Sequence, residues 1–199
     1  PRSTQAKNSF PTRRSSDLGD ALQPLAFEVL ARPDYGADAR QCQALVLGLA
    51  RASGAAGMRG GQLLDLLAER RPLDAAEVAL MQRLKTGALI RFAAEAGAIL
   101  GRATPAQADA LRSYAEELGL AFQIRDDLLD RVGDSAVTGK DGGRDQIAGK
   151  ASFVELLGED GARAKLLELR SQALARLDIL AGRHTLLPQL YDLVIDRQS

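Results

Sequence analysis

The sequence predicts an all-α protein, built as a bundle of helices. Signals for β-strands are nearly absent from the 199 residues. Alanine, leucine, glutamate, glutamine and arginine, which favour helices, recur instead at helical spacing along the chain. Residues that cap helices stand before several of these segments and are followed three positions later by Glu or Gln. We therefore expect helices throughout and no sheet.

Two helices are predicted in the first quarter of the chain. The first covers about residues 20–31, and Pro24 either kinks it or marks a later start. Residues 32–36 contain Pro and Gly and end this helix. The second covers about residues 38–52 and is strongly apolar on one face, so we expect it to be buried.

A third and a fourth helix follow. The third covers about residues 58–66, where paired glycines would let a neighbouring backbone or a ligand approach closely. Asp74 offers an N-cap for the fourth helix, with Glu77 three residues later in the pattern of a capping box. We expect this helix to continue to about residue 100.

The longest predicted helix begins after Thr104, an N-cap that is followed by Pro105 and by Gln107 in the box position. It ends near residue 132, so it would be about 42 Å long at 1.5 Å per residue. Such a helix would run through the whole domain.

Three shorter helices are predicted towards the C-terminus. One begins at Ser152, which has Glu155 in the box position, and another covers about residues 159–181. Pro188 precedes a last helix that ends near residue 197. We therefore expect the C-terminal part of the chain to be helical as well.

The first 17 residues differ from the rest. They are basic, rich in Ser and Pro, and contain almost nothing apolar to bury. Such a composition predicts disorder. Because the composition changes abruptly near residue 18, we interpret residues 1–17 as a disordered or foreign segment.

Composition excludes several classes of function. Lys plus Arg and Asp plus Glu both number 26, so no net field attracts nucleic acid. Cys42 and His184 are the single cysteine and histidine, which leaves no intrachain disulfide and no Cys/His zinc site. No apolar run approaches the roughly 20 residues of a membrane span. We expect a soluble, cytoplasmic protein.

The longest predicted helix carries an acidic cluster, Asp126, Asp127 and Asp130, near its end. Carboxylates at i and i+4 share a helical face about 5 to 6 Å apart, so they repel one another without cations. Mg²⁺ prefers oxygen ligands and commonly lies between one or two carboxylates and the phosphates of a substrate. The cluster therefore indicates a magnesium site that takes a diphosphate or a triphosphate.

A solvated acidic face is the structural alternative for this cluster. Two features favour the metal site over it. Asp is a poor helix former, yet three occur within five positions. The predicted helix also ends just beyond them, where the helix dipole disfavours negative charge.

Lysines accompany the acidic cluster. The glycine-rich loop at residues 133–150 contains Lys140 and Lys150, which could reach the same phosphates. Lys85 and Thr86 lie in the fourth predicted helix with apolar residues on both sides. A lysine in such surroundings needs an anionic partner.

These motifs resemble the trans-isoprenyl diphosphate synthases, the polyprenyl synthetase family, and especially its bacterial farnesyl diphosphate synthases. The resemblance covers residues 18–197, and the order and spacing of the motifs make it specific. Its landmarks are Gly19-Asp20, Gly60-Gly61-Gln62 with Asp65, Lys85-Thr86-Gly87, Phe122-Gln123 with Asp126-Asp127-Leu128-Leu129-Asp130, Thr138-Gly139-Lys140, Gly143-Arg144-Asp145 and Gly149-Lys150.

The resemblance implies a helix bundle of the isoprenoid synthase type. It also implies a prenyltransferase that condenses an allylic diphosphate with isopentenyl diphosphate in the presence of Mg²⁺ to give a short-chain product, by analogy farnesyl diphosphate. A homodimer is implied as well. Water would have to be excluded from the allylic cation that this chemistry forms.

The resemblance assigns roles residue by residue. Asp126, Asp127 and Asp130 form the second aspartate-rich motif of the family, and Asp126 is the chief Mg²⁺ ligand. The other assignments are Lys85, Lys140 and Lys150 for the allylic diphosphate, Thr86 and Gln123 for the region of the carbocation, and Asp145, Gln62 and Asp65 as supporting residues.

One feature departs from the family pattern. Its members carry two aspartate-rich motifs that face each other, and an upstream basic patch for isopentenyl diphosphate. Residues 1–17 supply neither, and no other Asp-Asp-rich segment exists. We therefore expect residues 18–199 to be the C-terminal part of one synthase domain, without its N-terminal helices and inactive alone.

Two other functions remain open at this point. The chain could be a non-catalytic partner subunit that binds a complete synthase, or a class I terpene cyclase, which shares the ionisation chemistry. The lysines of the glycine-rich loop and the Lys85-Thr86 pair favour the synthase.

Overall fold

A computed structural model describes residues 10–32, 34–68, 70–71, 73–138, 153–182 and 185–197. Every regular element among these residues is helical, so the all-α prediction is confirmed. The helices that the structure describes include none with the length and apolarity that crossing a membrane requires. In chain order the elements are α1 (Phe10–Ala31), α2 (Ala39–Ser53), α3 (Met58–Ala68), α4 (Ala75–Gln82), a π-helical segment (Arg83–Gly87), α5 (Ala88–Leu100), α6 (Pro105–Thr138), α7 (Phe153–Arg176), a 3₁₀ turn (Leu177–Leu180) and α8 (Leu186–Asp196).

Packing divides the chain into two units, Pro1–Leu49 and Ala50–Ser199. In the first unit, α1 begins at Phe10 and not near residue 20, so its first turns lie within the segment that was expected to be disordered or foreign. Pro24 lies inside this helix. The start of α2 matches the prediction to within a residue.

The turn before α2 is held by side chains. Asp38 Oδ1 accepts a hydrogen bond from the backbone N–H of Gln41 at 2.9 Å, and Gln41 Oε1 accepts one from the N–H of Asp38 at 3.1 Å. The hydroxyl of Tyr35 donates to the carbonyl of Leu30 at 2.6 Å. It also lies 3.6 Å from Cys42 Sγ, a buried free thiol.

In the second unit, the predicted start of α4 is confirmed. Asp74 Oδ1 accepts from the N–H of Glu77 at 2.8 Å, and Glu77 Oε2 accepts from the N–H of Asp74 at 3.1 Å. The helix continues to Leu100 as predicted, but its middle turn, Arg83–Gly87, is π-helical. This wider turn carries the predicted Lys85 and Thr86.

The predicted start of α6 is confirmed by reciprocal bonds between Thr104 and Gln107, at 3.0 and 3.3 Å. The helix has 34 residues and ends at Thr138, beyond the predicted end. The acidic cluster therefore lies two to three turns inside the helix. The argument from the helix dipole was wrong, because that effect falls off within the last turn.

One face of α6 forms the core of the second unit together with α7 and α8. The buried side chains follow the three- and four-residue spacing of helices that pack along each other. They are Tyr114, Leu118, Ala121, Ile124 and Leu128 of α6, Val154, Ala162, Leu166, Leu169 and Ala173 of α7, Leu177 of the 3₁₀ turn and Tyr191 of α8.

Polar contacts fix α8 on this core. The hydroxyl of Tyr114 donates to the carbonyl of Leu187 at 2.7 Å, and its ring meets Tyr191 edge to face at 6.2 Å. Arg170 of α7 pairs with Asp192 at 2.6 Å. These contacts hold α8 against α6 and α7.

The two helices predicted after residue 150 correspond to α7. The break between them is at Gly158, whose φ of 70° and ψ of 170° are not helical. A φ in this range is accessible to glycine without the steric cost that a side chain would add.

Candidate functional site

The π-helical segment lies between α3 and α6, and glycines permit the close contact on both sides. A Cβ atom at Gly61 of α3 would lie 2.3 Å from the backbone nitrogen of Lys85 and 2.6 Å from its Cα. A Cβ atom at Gly119 of α6 would lie 3.4 Å from Gly87 Cα. The backbone around Lys85 is therefore in direct contact with α3. Single π-helical turns are frequent at functional sites.

Lys85 has the anionic partner that its surroundings required. Its Nζ atom donates to Asp65 Oδ2 of α3 at 2.7 Å, and the two side chains are 39% and 24% exposed. The sequence analysis had assigned Lys85 to the substrate and Asp65 to a supporting role. An ammonium group has three N–H bonds, so the pair with Asp65 leaves Lys85 able to bind a second anion.

Thr86 and Gln123 are brought together as expected for residues of one site. Gln123 Nε2 of α6 donates to Thr86 Oγ1 at 2.7 Å, and both residues are half-buried. This bond fixes the orientation of the planar amide group, and with it the direction of the Gln123 carbonyl oxygen. The two side chains thus present oriented polar groups where the π-helical segment meets α6.

A cavity of about 400 Å³ adjoins this junction, between α4, the π-helical segment, α5 and α6. Leu84, Ala88 and Leu120 give it apolar walls, and Gln123 also lines it. At another part of its lining, Arg91 Nη1 lies 3.9 Å from Glu116 Oε1. The volume lies within the range of about 300–1,000 Å³ that is usual for small-ligand pockets.

The cavity and the acidic cluster share one face of α6. Glu116, Leu120 and Gln123 line the cavity, and Asp127 and Asp130 continue the same series at intervals of three or four residues. Side chains at this spacing lie one above another on a helix. From Gln123 to Asp130 the distance along the axis is about 10 Å at 1.5 Å per residue. The cavity and the carboxylate row therefore lie along the same face of α6.

Asp126 and Asp127 are half-buried, and Asp130 is exposed. Among the residues that the structure describes, no three acidic, histidine or cysteine side chains converge on a common point that would hold a metal ion. Carboxylates are hard oxygen donors, and Mg²⁺ usually binds one or two of them and completes its shell with waters and phosphate oxygens. The cluster fits a magnesium ion that arrives with a diphosphate.

Arg197, which was not among the predicted site residues, lies at the acidic cluster. Its Nη2 atom donates to Asp126 Oδ1, and its guanidinium lies 4.0 Å from the centre of the Phe122 ring. Its carbonyl accepts from Arg125 Nε at 3.0 Å. No local signal marks this residue, because its partners lie 71 to 75 positions away in the sequence.

Of the remaining predicted site residues, only Gln62 lies in the part of the chain that the structure describes. Gln62 is an exposed residue of α3, next to Gly61. Lys140, Asp145 and Lys150 lie outside the described residues. Their assignments stay predictions.

Comparison with known proteins confirms the predicted family resemblance. A family model described as Polyprenyl synthetase matches residues 6–174. Farnesyl diphosphate synthase from Escherichia coli is 45% identical over 192 residues, a match that covers 91% of this chain and 62% of that protein. Farnesyl diphosphate synthase from Haemophilus influenzae is 40% identical over 187 residues, covering 91% and 61%. The chain spans about three fifths of the length of these relatives.

Solved structures show the same likeness. A crystal structure of an FPP/GFPP synthase from Zymomonas mobilis superposes with a TM-score of 0.77 at 42% identity, covering 88% of this chain and 59% of that one. A geranyltransferase from Helicobacter pylori, complexed with magnesium and isoprenyl diphosphate, gives 0.67 at 28% identity, covering 89% and 58%.

Proposed function

The chain belongs to the polyprenyl synthetase family, and from this premise we propose that it serves prenyl transfer from an allylic diphosphate to isopentenyl diphosphate. The observation that carries the proposal is the shared face of α6, on which a largely apolar cavity is followed by Gln123 and then by Asp127 and Asp130. An allylic diphosphate has the same division into an apolar chain and an anionic head.

The head group would lie between the acidic cluster and Lys85. Mg²⁺, when bound, neutralises the charge that grows on a departing diphosphate. Asp126, Asp127 and Asp130 would hold it together with oxygens of the diphosphate. Lys85, whose position is fixed by its ion pair with Asp65, would donate to a phosphate oxygen and so favour the ionised leaving group over the intact substrate.

The apolar chain would occupy the cavity. Around that chain, its apolar walls would exclude water, which would otherwise trap an allylic cation. Gln123, which lines the cavity, would lie next to the head group, and its hydrogen bond with Thr86 holds both polar groups in a fixed orientation. An orientation fixed before the reaction stabilises developing charge without reorganisation.

The proposal extends to the product, the oligomeric state and the cellular location. A farnesyl product follows from the farnesyl diphosphate synthases among the relatives. A homodimer is supported by an exposed apolar stripe on α3, formed by Leu63, Leu66 and Leu67. A cytoplasmic location is supported by the single cysteine.

Calorimetric titration of the chain with geranyl diphosphate and Mg²⁺ tests the proposal. We expect saturable binding that Lys85→Met weakens about 10- to 100-fold, because a hydrogen bond to a charged group contributes about 1.5–3 kcal/mol. Lys165→Met is the matched control, since Lys165 also pairs with a carboxylate, Glu168, at 2.9 Å on α7. Its affinity should stay within twofold of that of the unsubstituted chain.

Two results would overturn the proposal. One is the absence of binding to the unsubstituted chain. The other is equal affinity of the Lys85→Met and Lys165→Met variants, which would remove Lys85 from the site.

A further inference from the structure

Arg197 follows the last turn of α8 and contacts the acidic half of α6. Its Nη2 atom donates to Asp126 Oδ1 and lies 3.5 Å from the carbonyl oxygen of Phe122. The guanidinium lies over the Phe122 ring, 4.0 Å from its centre. The side chain is 21% exposed. Three separate groups of α6 therefore hold one planar cation.

The backbone of Arg197 is held independently of Asp126. Its carbonyl accepts hydrogen bonds from the side chain of Arg125, one of them from Nε at 3.0 Å. Further back along α8, Asp192 pairs with Arg170 and the carbonyl of Leu187 accepts from Tyr114. These contacts set the backbone of Arg197, and the ring and carbonyl of Phe122 hold its guanidinium. Because these groups do not include Asp126, the guanidinium can orient the Asp126 carboxylate and does not merely follow it.

Asp126 keeps the capacity to bind a metal while it is paired. A carboxylate has two oxygens and about four lone-pair positions, and Arg197 takes one position on Oδ1. The side chain of Asp126 is still 42% exposed. The cation also offsets the repulsion between Asp126 and its acidic neighbours.

We propose that Arg197 is the positioning residue for Asp126, and that it fixes this carboxylate in the orientation that holds the magnesium of a magnesium–diphosphate ligand. This role rests on the proposed function. Groups that hydrogen-bond to a metal-ligating carboxylate fix its orientation, and their loss commonly reduces metal affinity 10- to 100-fold. Arg197 acts through Asp126 and does not touch the substrate.

The test measures metal binding and not turnover. Mn²⁺, titrated in the presence of inorganic diphosphate and followed by electron paramagnetic resonance, replaces Mg²⁺ as the probe. We expect Arg197→Gln to weaken Mn²⁺ binding at least tenfold. Arg163→Gln is the matched control, because it removes an exposed ion pair with Glu159 that lies within α7 and does not involve Asp126, and its affinity should stay within twofold.

A second variant separates orientation from charge. Phe122→Leu keeps both Arg197 and Asp126 but removes the aromatic face under the guanidinium. A cation–π contact of this kind contributes about 0.5–1 kcal/mol, so we expect Mn²⁺ binding about two- to fivefold weaker. Unchanged binding by both Arg197→Gln and Phe122→Leu would overturn the positioning role.

The outcomes distinguish this inference from the proposed function. If the unsubstituted chain binds no Mn²⁺ with diphosphate, the metal site itself fails and the positioning role fails with it. If the unsubstituted chain binds and Arg197→Gln binds equally or more tightly, only the positioning role is overturned, and tighter binding would show that Arg197 competes with the metal.

Should Arg197→Gln lose its helical circular dichroism, Arg197→Lys replaces it, because Lys keeps the charge but not the planar fork. Binding by Arg197→Lys is expected to be at least threefold weaker, and equal binding would contradict the role.

Discussion

At the scale of single residues, the site depends on how closely α3 approaches Lys85. Gly61 is buried, and its Cα faces the backbone of Lys85 directly. The same approach allows Asp65, one turn further along α3, to meet the Lys85 ammonium group at 2.7 Å. Backbone contact and ion pair therefore have one cause, the absence of a side chain at residue 61.

Gly61→Ala should destabilise the protein and disturb Lys85. The added Cβ would lie 2.3 Å from the Lys85 nitrogen, 2.6 Å from its Cα and 2.8 Å from its Cβ, so the backbone must move. We expect a loss of about 1–3 kcal/mol in the free energy of unfolding, measured by urea denaturation.

Gly97→Ala is the control for this substitution. Gly97 lies in α5, is exposed, and a Cβ there would meet no atom within 4 Å. Alanine should raise the free energy of unfolding by about 0.5–1 kcal/mol. Equal stability of the two variants would show that α3 does not pack against Lys85 as described.

At the scale of elements, the start of α4 is stabilised by an ion pair as well as by a capping box. Arg71 donates two hydrogen bonds to the Glu77 carboxylate, at 2.6 and 2.8 Å, while the backbone N–H of Asp74 donates a third. The Arg71 guanidinium, and after it this N–H group, lower the pKa of Glu77 from its ordinary 4.5 to about 2. The ion pair and the capping box together fix the start of α4, the helix that leads into the π-helical segment.

The pH dependence follows from the sign of this shift. Because the pKa of Glu77 is lower in the folded than in the unfolded protein, its stabilising effect is complete above pH 4.5 and is lost as the pH falls towards 2. In an NMR titration of the side-chain carboxyl carbon, we expect a midpoint well below 4.5. Arg71→Gln should raise that midpoint, whereas Arg70→Gln, its neighbour in sequence, should leave it in place. A midpoint at 4.5 in the unsubstituted protein would refute the ion pair.

At the scale of the second unit, α6 joins the core to the site. One face of α6 packs into the hydrophobic core with α7 and α8, and another face carries Gln123 and the acidic cluster. The core and the proposed binding site therefore share one long helix. Loss of the core contacts would displace the site residues even though none of them is changed.

Leu166→Ala should reduce the free energy of unfolding by about 2–5 kcal/mol, because it leaves a cavity in this core. Leu167→Ala is the matched control on the same helix, since Leu166 is 5% exposed and Leu167 is 65% exposed. We expect its effect to be within about 0.5 kcal/mol of zero. Thermal and urea unfolding would measure both, and a similar loss in the two variants would contradict the packing of α7.

The sequence by itself determined the helices and the types of residue at the site. Caps such as Asp74 with Glu77 and Thr104 with Gln107 join residues three positions apart, so their bonds follow from local spacing. The acidic cluster and the Lys85-Thr86 pair could likewise be recognised in the sequence, because their members are close together along the chain.

Only the tertiary structure decided how these residues meet. The pairs Lys85 with Asp65, Thr86 with Gln123 and Arg197 with Asp126 span 20, 37 and 71 positions. The π-helical turn and the cavity are likewise products of packing between helices. Their geometry depends on which surfaces press together, and close contacts such as that at Gly61 have no signature in the periodicity of any one helix.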